Sequence, residues 1–239
     1  MKSYRSLLNS YSNALCYRES TEWSNVWIDS ANCEQKKRYM IIGDSTARMV
    51  RSSFAKQTSS PVDMIGTSSA LDDDLFITLL DGYFEKCIYK YDAIFIQLGH
   101  HSRIGKDGDE YKESDFYKFE QDFSALLLFI KQFTDSIIVE SIFESIEHNN
   151  SFMSNLKKSS KIMKTLYRMG VFKEKPDKRI NSITNRKTKI TQKVADKMGG
   201  VKFIDVNDYM KRQKYIHIDH IHFENKAKNV IAKYMSSYV

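Results

Sequence analysis

The chain has 239 residues, of which 41% are hydrophobic and 28% charged, with only two prolines and nine glycines. That length suits one large α/β domain or two small ones, and the composition excludes collagen-like, linker-rich and low-complexity chains. The formal charge is +7, but positions 151–200 carry fourteen bases and three acids, a formal +11 against −4 for the remainder, so the excess is local and does not mark a nucleic-acid-binding chain.

Residues 1–37 are polar with scattered aromatics (Tyr4, Tyr11, Tyr17, Trp23, Trp27) and are expected to form an extension packed on the domain 38–239. The first twenty residues lack the apolar core of a signal peptide, and no run approaches the roughly 20 apolar residues of a membrane span. Cys16, Cys33 and Cys87 are sparse and odd in number. They suggest free thiols rather than a disulfide framework, and a cytoplasmic setting.

From Arg38 onward, short apolar runs at 39–42, 62–65, 93–98, 137–141 and 201–206 alternate with stretches of helical spacing. Such runs read as buried parallel strands. Leu75, Leu79, Leu80, Tyr83 and Phe84 form one helical stripe, and Phe116, Phe119, Phe123, Leu126, Leu127 and Ile130 a second. Ile190, Val194 and Met198 form a third, stopped by Gly199-Gly200, and a last helix is expected near 224–236. The alternation predicts an α/β domain with a parallel sheet covered on both faces. Residues 143–180 break the rhythm with a basic helical stretch and read as an insertion.

Ligands of such sheets bind beyond the carboxyl ends of the strands. The first of these ends reads Ile42-Gly43-Asp44-Ser45-Thr46. A serine at a helix start is placed to be a nucleophile beside free N–H donors, or else Asp44 or Ser45 simply caps the helix. Neither a dinucleotide fingerprint nor a P-loop is present. Before the last helix stands His217-Ile218-Asp219-His220-Ile221-His222. Asp219 and His222, three apart, have the chemistry of an acid–base pair that activates a serine.

Gly43-Asp44-Ser45, Gly66 after the second run, Gly99 after the third, and the pair Asp219 and His222 together resemble the SGNH, or GDSL-type, hydrolase superfamily over roughly 38–237. The resemblance implies a three-layer α/β/α fold with a five-stranded parallel sheet in flavodoxin-like order. It implies a triad of Ser45, Asp219 and His222, with the N–H groups of Ser45 and Gly66 in the oxyanion hole. One block departs. The family's G-x-N-D is replaced by Gly99-His100-His101-Ser102. His101 stands at the asparagine position, where its imidazole either donates to the oxyanion or only structures the loop.

The remaining signals leave alternatives open. The histidine cluster at 217–222 lacks zinc-ligand spacing, and no metal is expected. Asp72, Asp73 and Asp74 fit the first turn of a helix better than a metal site. Lys157, Lys161, Lys164 and Arg168 share one helix face. They line a groove for a polyanion such as an acidic polysaccharide, or they form a solvated face. Asp44, Lys157, Lys161 and Lys164 are the candidate substrate-binding residues. The expected activity is cleavage or transfer of O-acyl, chiefly O-acetyl, groups on a carbohydrate. Hydrolysis needs no cofactor, and transfer would use acetyl-CoA as donor. A weakly active glycan-binding module on the same scaffold is the reading from another class. No nucleic acid and no membrane span are expected among its partners.

Overall fold

The computed structural model describes residues 1–11, 23–32, 37–101, 111–147, 160–169, 171–213, 215 and 217–239. Six strands form one sheet: β1 (Ser24–Trp27), β2 (Tyr39–Gly43), β3 (Val62–Thr67), β4 (Ala93–Gln97), β5 (Ile137–Glu140) and β6 (Val201–Ile204). Their spatial order is β1-β3-β2-β4-β5-β6. Strands β2 to β6 are parallel to one another, in the doubly wound flavodoxin-like order.

The sixth strand departs from the five expected. Ser24–Trp27 pairs antiparallel with β3, in register Asn25 to Gly66. It was hidden because edge strands need no apolar alternation, and the four residues Ser-Asn-Val-Trp show none. Ahead of it, α1 (Tyr4–Leu7) is anchored by Tyr4. This ring is wholly buried, lies against Phe76 and Phe129, and donates from its hydroxyl to the Leu71 carbonyl at 2.8 Å.

Strand residues alternate between two cores. Met40, Ile42, Ile94 and Ile96 face α1, α3 (Asp74–Lys86), α4 (Glu113–Ile130) and α6 (Lys178–Asp196). Tyr39, Ile41, Met64 and Phe95 face α2 (Ser45–Thr58), α7 (Val206–Arg212) and α8 (Asn225–Ser236). Every residue of β2, β3, β4 and β5 is buried, as a sheet covered by helices on both faces requires. Asp73 caps α3, Asp74 bonds to Arg5, and Asp72 pairs with Lys118 at 3.0 Å.

Of the insertion, the described part includes α5 (Lys161–Arg168), capped by Ser160. Met163 turns inward while Ile162 stays exposed. Among the described residues, no helix is long and apolar enough to cross a membrane.

Candidate active site

The carboxyl end of β2 runs directly into α2. Asp44 is the N-cap and accepts from the Thr46 N–H at 2.8 Å. Gly43 is required by close approach, since a Cβ there would stand 2.3 Å from that of Ala47 and 3.0 Å from the Gln97 carbonyl. The turn therefore places Ser45 as the first helical residue. The first-turn N–H donors have no acceptor within the helix, and the dipole makes this end positive.

The hydroxyl of Ser45 lies 2.7 Å from Nε2 of His222, and Nδ1 of the same ring lies 2.8 Å from Oδ2 of Asp219. The other carboxylate oxygen, Oδ1, accepts from the N–H groups of Ile221 at 2.9 Å and His222 at 2.7 Å. Half-burial alone would raise the Asp219 carboxyl. The His222 ring and the two backbone donors outweigh it and hold the carboxyl well below the usual carboxylate range. An ionised Asp219 only accepts, so Nδ1 carries the proton and Nε2 is left to accept from Ser45. The structure thus brings Ser45, His222 and Asp219 into one line, although 177 positions separate Ser45 from His222.

The loop that carries the pair is clasped from outside. The N–H of Ile218 donates to the His222 carbonyl at 2.7 Å, closing it, and His217 bridges to Phe223. Glu174, from the insertion, accepts from the His217 N–H at 2.9 Å and lies 2.7 Å from its Nδ1. The ring of His217 stacks on Phe223 at 4.3 Å. The N–H of Ile146 donates to the carbonyl of His220 at 2.8 Å. His217 and His222 are therefore held by different partners. Among the described residues no three His, Cys, Asp or Glu side chains gather around a metal-sized point.

Two expected site residues are placed otherwise. Asp44 is only 1% exposed. Its Oδ1 takes both the N–H and, at 2.6 Å, the hydroxyl of Thr46, so in this structure it acts as a buried helix cap. Gly66 lies inside β3, opposite Asn25. Ser68 donates to the Trp23 carbonyl, and the Ser24 and Thr67 hydroxyls meet at 2.8 Å between those two pairs. Hydrogen-bonded pairs alternate in an antiparallel ladder. Gly66 and Asn25 are thus the next bonded pair, and the Gly66 N–H points to the edge strand rather than to Ser45. The resemblance located the glycine, but the antiparallel neighbour that takes its N–H was not legible.

The two histidines after β4 separate. Nε2 of His100 is buried without a partner among the described residues. Burial lowers this imidazole to about 4, against the opposing pull of the Asp44 carboxylate. His101 instead lines a cavity of about 180 Å³ with Ala70, Leu71, Tyr111, Phe119 and Lys187. Gly99 has φ of +138°, and a Cβ there would meet Ile142 at 2.4 Å, so the loop bearing His101 turns where only glycine fits.

Lys187 and Glu140 were not singled out in the sequence. Lys187 is 2% exposed and donates from Nζ to the Gly99 carbonyl at 2.7 Å. The ammonium stands 5.0 Å from the Tyr111 ring and 5.2 Å from that of Phe119, within cation–π reach. Its signal was its spacing. Thr184, Lys187, Thr191 and Val194 recur at three and four on the buried face of α6. Glu140, at the carboxyl end of β5, is 3% exposed, and burial with the nearby Asp44 charge pushes its carboxyl up to about 8.

The basic residues divide too. Arg186 pairs with Glu113, Lys193 with Glu120 at 2.8 Å, and Lys211 with Glu144 at 2.6 Å. Lys161 and Lys164 line a cavity of about 910 Å³ that also borders Asp219. Lys157 lies outside the described residues.

No family model matches the chain, and no curated protein is similar to it in sequence. Solved structures do resemble it. One is the C-terminal catalytic domain of peptidoglycan O-acetyltransferase A of Streptococcus pneumoniae, with a methylsulfonyl adduct. It is 11% identical, with 84% of this chain and 91% of that one covered at a TM-score of 0.54. Another is LAE5, an alpha/beta hydrolase from the metagenome of Lake Arreo, Spain, 13% identical, with 84% and 94% covered at a TM-score of 0.51. The likeness is one of fold, and the chain has an SGNH hydrolase-like fold.

Proposed function

We propose that the protein is a serine-dependent acyl-ester enzyme that removes or transfers O-acyl groups, O-acetyl in the first instance, on a carbohydrate. The observation that carries this reading is the unbroken line from Ser45 Oγ through His222 to Asp219, at the N-terminus of α2. Ser45 attacks the ester carbonyl while His222 Nε2 takes its proton, and the ionised Asp219 stabilises the imidazolium. The oxyanion that forms lies against the N–H of Ser45 and the imidazole of His101. His222 then returns the proton to the leaving alcohol, which leaves an acyl-enzyme on Ser45. Water or a sugar hydroxyl, deprotonated by His222, releases the acyl group.

The carbohydrate acceptor is supported by the fold shared with a peptidoglycan O-acetyltransferase domain. That likeness also favours transfer as the second reading, for which the proposed donor is acetyl-CoA, while the proposed hydrolysis uses no cofactor. The test is p-nitrophenyl acetate turnover with intact mass measured in parallel. The expected result is a +42 Da acetyl adduct on Ser45, absent in Ser45→Ala. Turnover that survives Ser45→Ala overturns the reading, and an unaltered chain with neither turnover nor adduct would instead be a binding module on this scaffold. Product mass with an acetylated oligosaccharide, with and without acceptor, then separates hydrolysis from transfer.

A further inference from the structure

The cavity of about 910 Å³ beside Asp219 is walled by Lys161 and Lys164 from α5, Asp219 from the catalytic loop, and Glu224, Asn225 and Lys226 at the start of α8. Three lysines thus line it from two elements more than fifty positions apart in sequence. Among the described residues no carboxylate pairs with any of the three. On α6 and α7, by contrast, Arg186, Lys193 and Lys211 each have an acid.

The triad does not consume this charge. The influences on Asp219 are burial, the His222 ring and two backbone N–H groups, and no lysine figures among them. Glu224 is 6% exposed, so its carboxylate is largely withdrawn from solvent. The wall still carries three lysines against two carboxylates, of which Asp219 is held by His222 and two backbone N–H groups, and a positive surplus around a concavity raises the local concentration of an anion. The volume falls within the several-hundred to 1,000 Å³ typical of ligand sites. It is also large for a lone inorganic ion and suits sugar rings. Asp219, on the cavity wall, is linked to Ser45 through the His222 imidazole, so the cavity lies next to the catalytic line.

We infer that the cavity is a subsite for the carboxylate-bearing sugar of an acidic glycan, held by Lys161, Lys164 and Lys226. This rests on the reading of Ser45, His222 and Asp219 as an acyl-ester centre and names the class of its substrate.

Binding tests it apart from catalysis. Isothermal titration compares an unacetylated oligogalacturonate with a neutral cello-oligosaccharide of equal length, at low and high salt. The oligogalacturonate is expected to bind about tenfold tighter or more, a difference of about 1.4 kcal/mol, with the advantage shrinking as salt screens it. The triple variant Lys161→Gln, Lys164→Gln, Lys226→Gln is expected to lose the advantage, and the triple arginine counterpart to keep it. Equal binding of the two oligosaccharides to the unaltered chain overturns the inference, as does an advantage that survives the glutamines. Coenzyme A is a third ligand. If it alone binds in a lysine-dependent way, the cavity belongs to a phosphate-bearing donor and the glycan assignment fails. Acylation of Ser45 by p-nitrophenyl acetate reads the underlying centre separately. Its failure alongside lysine-dependent oligogalacturonate binding removes the chemistry but not the subsite.

Discussion

The two halves of the candidate active site are built in opposite ways. Ser45 is placed by its own neighbours in sequence: a buried strand, a glycine where a Cβ would stand 2.3 Å from that of Ala47, and a cap by the Asp44 side chain. His222 and Asp219 sit on a loop with little regular structure, held by two contacts from the insertion: Glu174 on His217, and Ile146 on His220. A nucleophile set by local geometry needs little outside support. An acid–base pair set by distant contacts is sensitive to residues that never meet substrate.

The largest effect is expected at the nucleophile and its base. Ser45→Ala or His222→Ala should lower kcat by about 10⁴–10⁶, measured on p-nitrophenyl acetate, with folding unchanged by circular dichroism. His101→Ala should cost about 10²–10³ in kcat, the usual loss for one oxyanion donor. Full activity in that variant would show that the imidazole only shapes its loop. Lys187→Met leaves the Gly99 carbonyl buried without its donor and should cost about 1–3 kcal/mol of stability in urea denaturation, with a fall in kcat as the His101 loop loosens.

Glu174→Gln weakens the clasp on the other half. The expected loss is about 1 kcal/mol, appearing in kcat more than KM, since the loop it orients carries the base. Equal damage to stability and none to kcat would mean that the clasp only supports the fold. A further effect concerns pH. Glu140 has its carboxyl raised from 4.5 to about 8. The unfolded chain therefore binds fewer protons than the folded one across that window, and Glu140 makes stability fall as pH rises through it. His100, lowered from 6.5 to about 4, works the other way, with stability lost as pH falls from 6.5 to 4. Glu140→Gln should therefore raise the melting temperature at pH 8 relative to pH 5, and His100→Gln should flatten the acid limb.

The pattern of misreadings follows the same division. The five parallel strands and their helices were legible because burial on two faces leaves continuous apolar runs, and helices leave stripes at three and four. Ser45, Asp219 and His222 were legible because a strand end, a helix start and a three-residue spacing are local. Asp44 is a matter of burial. Its polar side chain suggested substrate contact, and only the packed β4 neighbour and Thr46 show it turned inward. Gly66 is a matter of partners, since its N–H is taken by an edge strand forty positions earlier whose sequence carries no strand signal.

The basic excess was visible in composition, yet its disposition was not. Charge counting merges Lys187, buried against Gly99, with Arg186, paired to Glu113 one position earlier. It also leaves out Lys226, which lies beyond the basic stretch but shares a cavity with Lys161 and Lys164. By itself the sequence determined the layered α/β architecture and the order of the candidate site residues, because hydrophobic period and capping act over a few positions. Tertiary structure alone decided which side chains meet Ser45 and which lysines are buried, paired or left on a cavity wall. Those outcomes depend on contacts between residues tens to nearly two hundred positions apart, which no local pattern encodes.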